Sequence, residues 1–559
     1  MKLPLPEIER AADRLIETAA TRLWARFVVF ACIAALVILP GLAAMPVTDR
    51  DEGRFVQASK QMLETGDLID IRFQAQPRWK KPAGIYWLQA AATMPFGGAA
   101  APVWAYRLPS ALAALGAMAA LFWAAHPLVA RRAAVLSAAM LGTTVLFAGE
   151  ANIAKTDAAL MFTAVLALGA LIRLCREDAA PWVAALFWVT LAVAILLKGP
   201  IVPLIAILTL VWVWIFDRRP RLAPFRPLWG LPLMLALAAP WLIAIWIVSG
   251  GAFFEESVGR DLLGKVAEGQ EKHWGPPGLY SVLVWVTFWP WAAFLPLALP
   301  WLWARRREAW LVLLAGWVVP FWVILEAVPT KLPHYVLPLY PALAMVVAAW
   351  LLSEEDSAKP WQWKVSAWVA ALPGVILGLA AIAGPIALEG RLVIGALIAL
   401  PGILLAGLSA KAALARARRA QLAFSLAAAL LIYPAVLQFG LPALATVFPS
   451  PRMAELAAPW RACADTPLVS AGYREPSLVF ATETGTALAT PLETAERLSD
   501  PGTLFLIEDR WWPLIDPHLP AGRPDLVERG SLSYFNYNRG NFETARLYTS
   551  PDPRWQSCE

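Results

Sequence analysis

Uncharged apolar runs of about 17 to 25 residues recur along this chain, and that recurrence constrains its fold more than any other feature. Each run is long enough to cross roughly 30 Å of hydrocarbon as a helix, where the backbone must satisfy its own hydrogen bonds. Alternating segments of the kind that build a membrane barrel are not evident. With 59% hydrophobic and 16% charged residues over 559 positions, the chain is too apolar for an ordinary soluble enzyme of this length. It reads as a polytopic α-helical membrane protein.

Thirteen spans are predicted, at about 27–46, 103–125, 133–150, 158–172, 182–197, 200–216, 228–248, 281–303, 309–328, 335–352, 366–388, 392–408 and 422–447. The segment before the first carries Leu5, Ile8, Ala12, Leu15, Ala19 and Leu23 at helical spacing, the pattern of an interfacial helix leading into an uncleaved span. Every second junction is basic: Arg131 and Arg132, Arg173 and Arg176, Arg218 to Arg226, Arg305 to Arg307, Lys359 and Lys364, Lys411 to Arg419. Lys/Arg-rich junctions stay in the cytoplasm, which accounts for a net charge of +6 without invoking nucleic acid. The N-terminus is therefore expected inside. Segments 47–102, 151–157, 249–280 and 329–334 are expected outside, with the C-terminal 110 or so residues.

The one convincing boundary lies near Pro449 to Pro451, dividing a transmembrane region, 1–447, from a small extracytoplasmic α/β domain, 448–559. In the latter, "TPLVSAGY", "SLVFAT" and "TLFLIED" read as short strands. Cys463 and Cys558 lie in it and either pair, if the compartment is oxidising, or stay as two thiols; sequence does not show their proximity.

Ionisable residues avoid the predicted midplanes: Arg107, Glu326 and Lys198 all lie toward outer span ends. Ion-coupled transporters need such groups at mid-membrane, so that class recedes, while uncoupled lipid flipping stays open. The outer segments, in contrast, carry clusters. In "PVTDRDEGRFVQASKQMLETGDL", Thr48 or Asp51 is placed to cap a helix running to about Glu64 and ended by Gly66, with Phe55, Val56, Met62 and Leu63 as a membrane-facing stripe. Asp51 and Glu52 at its start are either partly desolvated acids suited to base chemistry or plain caps balancing arginines.

"QPRWKKPAGIYW" supplies Arg78, Lys80, Lys81 and Tyr86, "LLKGP" supplies Lys198, and "VPTKLPHYVLP" supplies Lys331, His334 and Tyr335. Each lysine alone is a candidate for snorkelling at the interface. Several on one side suit an anionic lipid head group, with ammonium and guanidinium donors on its phosphate. "GEANIAKTDAALMF" adds Glu150, Lys155 and Asp157, the last an acid that orients another site group, a metal ligand or, most simply, a helix cap. His273 in "EKHWGPPGLY" accompanies the outer clusters, no HExxH occurs, and a metal is not demanded.

"DEGRFVQASKQMLETGDL", "KKPAGIYWL", "AKTDAALMF", "LLKGP" and "TKLPHYVLP", in that order, resemble the polyprenyl-phosphate-sugar-dependent glycosyltransferases of the GT-C superfamily, in the group of lipid A aminoarabinose transferases and protein O-mannosyltransferases. The resemblance reaches to about residue 350 and is nearer the former. It implies sugar transfer from a polyprenyl phosphate, with inversion, on the outer face of a bacterial inner membrane, to lipid A or lipopolysaccharide core. It also implies Asp51 as the essential acid with Glu52 as partner, Asp157 as a second acid of the cavity, and Arg54, Lys81, Lys331 and Tyr335 around the donor phosphate. Arg78, Lys80, Tyr86 and His273 are then expected at the donor sugar or acceptor, with no cofactor required, a divalent cation compatible, no metal site assigned and a monomer working among membrane lipids. The family's acid and aromatic are replaced here by Lys80 and Arg78, so a neutral or anionic sugar, such as a uronic acid, is expected rather than a cationic one. A protein O-mannosyltransferase, a lipid-carrier flippase and a non-catalytic assembly scaffold are the competing readings.

Overall fold

The computed structural model describes residues 4–48, 51–176, 179–217, 222–264, 274–519, 522–537 and 539–558. Among them, nine helices are long and apolar enough to cross a membrane, and three helix pairs meet the same criterion across bends of 112°, 61° and 114°. The shorter apolar helix Ile201–Asp217 fills the remaining place, so every expected span has a helical counterpart. The chain is a multi-pass membrane protein.

The 112° bend separates the N-terminal helix, Leu5–Thr21, from the helix that begins the first span, Leu23–Ile33. Asp13 on the N-terminal helix pairs with Arg132 at 2.9 Å and with Arg419, while Arg305 pairs with Glu355. Residues from the expected inner junctions thus gather at one end of the bundle. The segments expected outside meet at the other.

Helix Asp51–Thr65 ends where Gly66 takes φ +74°, a left-handed conformation that suits glycine after a helix. Its apolar stripe is not turned to lipid. Phe55 and Met62 are buried against Ile85, Tyr86, Trp241 and Phe253, and Val56 against Ala105, Tyr106 and Ala154. The opposite side is covered by the C-terminal region: a Cβ on Gly53 would lie 2.8 Å from the backbone nitrogen of Ser477. Glycine at 53 permits that approach, and the helix is held between the spans and the C-terminal layer.

The C-terminal region is a five-stranded sheet in the spatial order Ala487–Ala489, Leu468–Ala471, Leu504–Glu508, Asn541–Thr549, Val527–Asn536. The first three strands run parallel and the last two antiparallel. Leu468–Ala471 and Leu504–Glu508 are buried along their whole length, as expected of parallel strands covered on both faces. Leu504 and Leu506 face Met453, Leu478 and Trp555, while Phe505 and Ile507 face Leu498, Trp512 and Ile515. "SLVFAT" is a helix, Pro476–Ala481, not a strand. Short apolar runs have no decisive period, and Pro476 at the first helical position favours the helical start. Cys463 and Cys558 are disulfide-bonded, tying helix Ser450–Ala464 to the final turn.

Candidate active site

The site is built from helix ends. Helix Pro181–Lys198 runs antiparallel to Asp157–Arg176 beside it, so the C-terminus of one meets the N-terminus of the other. Lys198 and Asp157 occupy those ends, each with the charge that the local helix dipole favours, and Lys198 Nζ lies 2.6 Å from Asp157 Oδ1. Asp157 is in the first helical turn, but its carboxylate bonds this lysine instead of capping the backbone. Lys155 Nζ lies 3.2 Å from Glu150 Oε1 and 3.6 Å from Asp157 Oδ2, and His334 Nε2 lies 3.9 Å from Asp157 Oδ1. Burial alone would lower the Lys155 ammonium, yet Glu150 and Asp157 hold it above the usual range, so it stays charged.

Lys81 is brought alongside by a close packing. Helix Gly84–Thr93 approaches the end of helix Pro181–Lys198 so tightly that a Cβ on Gly84 would lie 2.7 Å from the Leu196 carbonyl oxygen. The glycine of "KKPAG" thereby sets Lys80 and Lys81 next to the Lys198 turn. Lys81 pairs with Asp261, and Lys198 stands 5.5 Å from the centre of the Tyr335 ring, within range of a cation–π attraction.

These groups line one cleft. Asp51, Arg54, Arg78, Lys80, Lys81, Asp157 and Tyr335, all anticipated from sequence, open into it. Asp51 is exposed, at the first turn of its helix, with its carboxylate available to an incoming group. Lys155, Lys198, His334 and Asp261 also line the cleft. The first three sit in motifs singled out for charge. Asp261 carried no signal: it arrives from the 249–280 segment within Glu255–Leu263.

Three expected site residues are placed elsewhere. Glu52 is fully buried and accepts from Arg107 Nε and Nη2 at 2.8 and 3.0 Å, from the Thr48 amide at 2.8 Å and hydroxyl at 3.0 Å, and from the Ala154 amide at 2.9 Å. Burial pushes this carboxyl up, but Arg107 and the two amides outweigh burial and hold it below its ordinary range. Arg107 spends its other donors on the carbonyls of Leu42, Met45 and Pro46. Glu52 therefore ties the Asp51 helix to Arg107 on helix Val103–Ala125 and to the 151–157 segment, while Arg107 holds the end of the first span, and together they position Asp51.

Lys331 donates to the carbonyls of Leu325 and Glu326 at 2.6 and 2.8 Å, closing the end of helix Ala309–Ala327 as a lysine near a C-terminus does, and it does not line the cleft. Tyr86 is buried beneath it and takes a 3.2 Å hydrogen bond from Arg78 Nε, so it steadies Arg78. His273 lies outside the described residues. Among the described residues no cluster of three or more His, Cys, Asp or Glu is disposed to hold a metal ion.

Comparison with solved structures identifies the fold. The fold matches ArnT from Cupriavidus metallidurans bound to undecaprenyl phosphate with a TM-score of 0.70 at 18% identity, over 93% of this chain and 97% of that one. It also matches the archaeal oligosaccharyltransferase AglB from Archaeoglobus fulgidus with a TM-score of 0.51 at 11% identity, over 95% and 74%. This is the GT-C architecture that the motif order implied. In sequence, a family model described as dolichyl-phosphate-mannose-protein mannosyltransferase matches residues 80–246.

The particular relatives are undecaprenyl phosphate-alpha-4-amino-4-deoxy-L-arabinose arabinosyl transferases. That of Pectobacterium carotovorum is 28% identical over 364 residues, 62% of this chain and 63% of the relative. That of Pseudomonas aeruginosa is 29% identical over 312 residues, 53% and 54%. The matched region thus spans less than two thirds of these relatives.

Proposed function

We propose that this chain is a membrane glycosyltransferase that moves a sugar from a polyprenyl phosphate carrier to lipid A or lipopolysaccharide core. One observation carries the reading: an exposed carboxylate, Asp51, opens into the same cleft as Lys81, Lys155 and Lys198, which come from three separate parts of the chain. A phosphate-linked sugar already carries its leaving group. The protein's tasks are then to hold the acceptor, to stabilise charge developing on the departing phosphate, and to take a proton from a hydroxyl acceptor. The lysines serve the second task. Asp51 serves the third, or only orients the acceptor when that is itself a phosphate. No cofactor is called for.

The reading places the protein in a bacterial inner membrane with its N-terminus cytoplasmic and the 448–559 domain periplasmic, over a 1–447 catalytic region. Supporting this, segments 47–102, 151–157, 249–280 and 329–334 each contribute a residue to the one cleft, namely Asp51, Lys155, Asp261 and Leu332.

For the sugar, the relatives' names favour a 4-amino-4-deoxypentose over the neutral or acidic sugar expected from Lys80 and Arg78. The cleft supplies a physical reason. Asp261, unseen in sequence, adds a carboxylate beside Lys81, and Arg78 is engaged with Tyr86 and stacked 5.0 Å from the Phe55 ring. Of the three acids in the lining, Asp157 and Asp261 are paired with lysines, which leaves Asp51 as the acidic partner for an ammonium group. A uronic acid is the second reading, favoured by the presence of Lys80 and Arg78 in the lining.

The test gives purified protein undecaprenyl-phosphate donors of aminoarabinose and galacturonate with lipid A as acceptor. Transfer from the first at the higher kcat/KM is expected. Preference for the second selects the uronic acid, and consumption of neither donor overturns the transferase reading.

A further inference from the structure

A second and larger cavity, of about 190 Å³, lies in the C-terminal sheet region and shares no residue with the cleft. It opens where Leu468–Ala471 and Leu504–Glu508 end side by side. From the first of these strands the chain crosses to Ala487–Ala489 on one side, and the next strand, Leu504–Glu508, lies on the other. A reversal of strand order at the carboxyl ends of parallel strands leaves a crevice, and such crevices are where open α/β sheets bind ligands.

The lining is chemically specific. At the floor Glu508, 1% exposed, is held by the Tyr534 hydroxyl and by Arg510, whose Nε lies 3.4 Å from Glu543. Gly472 has φ +102°, and a Cβ there would lie 2.5 Å from Glu508 Oε2; glycine serves both the turn and the room the carboxylate needs. Around the mouth stand Arg474, Arg539 and Tyr537, all exposed. Val447 and Pro449, from the connection that leaves the last span, form part of the wall, with Tyr473, Glu475, Phe535 and Asn536 completing it. The Phe535 amide bonds the Thr446 carbonyl at 2.9 Å, so the cavity sits on the seam with the membrane region.

We propose that this cavity binds an anionic saccharide, a single sugar ring bearing phosphate or carboxylate. Guanidinium groups match such anions with paired hydrogen bonds. The tyrosine ring offers a face to the sugar, and Glu508, held by Tyr534 and Arg510, fixes the floor and the Arg510 side chain beneath it. The volume is below the roughly 300–1,000 Å³ of sites for drug-sized ligands, which fits one ring and not an oligosaccharide. The position on the seam suits a head group presented by a membrane glycolipid, and a soluble sugar phosphate has the same chemistry.

The experiment uses the full chain in lipid nanodiscs and calorimetric titration with glucosamine 6-phosphate, glucosamine and inorganic phosphate. Saturable binding of glucosamine 6-phosphate is expected, at least tenfold tighter than either fragment. Arg474→Ala with Arg539→Ala weakens it at least tenfold; both side chains are exposed, so their removal spares the core. Lys198→Met, in the other site, leaves it unchanged. Competition by lipid A in the nanodisc assigns the ligand to the membrane, and its absence assigns it to a soluble sugar phosphate; both keep the site. Failure to bind, equal binding of phosphate alone, or loss in Lys198→Met with the arginine variant unaffected each overturns the proposal.

Discussion

Arg107 and Glu52 offer the sharpest test of how the site is held. All of Arg107's N–H donors are spent, on Glu52 and on three carbonyls at the end of the first span, and both partners are fully buried. Removing one member of such a pair strands the other charge and costs about 3–5 kcal/mol, a drop of two to three and a half powers of ten in the folded-to-unfolded ratio at about 1.4 kcal/mol per decade. Arg107→Met is expected to show that loss in denaturant titrations of the protein in nanodiscs. Adding Glu52→Leu to it costs little more, because removing the stranded charge offsets the loss of the acceptor for the Thr48 and Ala154 amides. Glu52→Gln follows Arg107→Met in stability. Should Glu52→Gln keep the wild-type midpoint while abolishing sugar transfer, Glu52 is a reacting group and the positioning argument is refuted.

The same carboxyl has a pH signature: its folded pKa lies below the ordinary value, so its stabilisation is complete above about pH 4.5 and fades as pH falls through the lowered pKa. Unfolding midpoints from pH 7 to 3 check this, and Glu52→Gln flattens that part of the profile. Asp51→Asn is expected to lower transfer about 10²–10⁴-fold, the range of general-base removal, with the unfolding midpoint unchanged. Gly84→Val forces a side chain into the Leu196 backbone, costing about 1–3 kcal/mol, and raises the KM for donor by shifting Lys81 away from Lys198. Cys463→Ser opens a 95-residue loop and costs about 2–5 kcal/mol, read as a fall in midpoint that added reductant reproduces in the parent protein. Chelation with EDTA leaves transfer unchanged.

The spans were legible because hydrocarbon imposes one rule on every residue within it, and charged junctions marked where each ended. The charged motifs were legible for the same reason: Asp51, Lys81 and Asp157 stand out against an apolar background. What the sequence hid was pairing. Nothing local shows that Glu52 finds Arg107 across 55 positions, that Lys331 turns back onto its own helix, or that Asp261 arrives beside Lys81. Apolar stripes were equally mute about their partner: Phe55 and Met62 face protein, not lipid, because the C-terminal region and neighbouring spans enclose their helix.

That enclosure carries a consequence for anyone who shortens or recombines such chains. The amide of Ser477 rests on Gly53, two positions from Asp51, so the C-terminal region is a buttress and not an appendage. A version cut after Val447, or one given a borrowed C-terminal part with a bulkier contact at Ser477, is expected to lose the set of the Asp51 helix while the spans keep theirs.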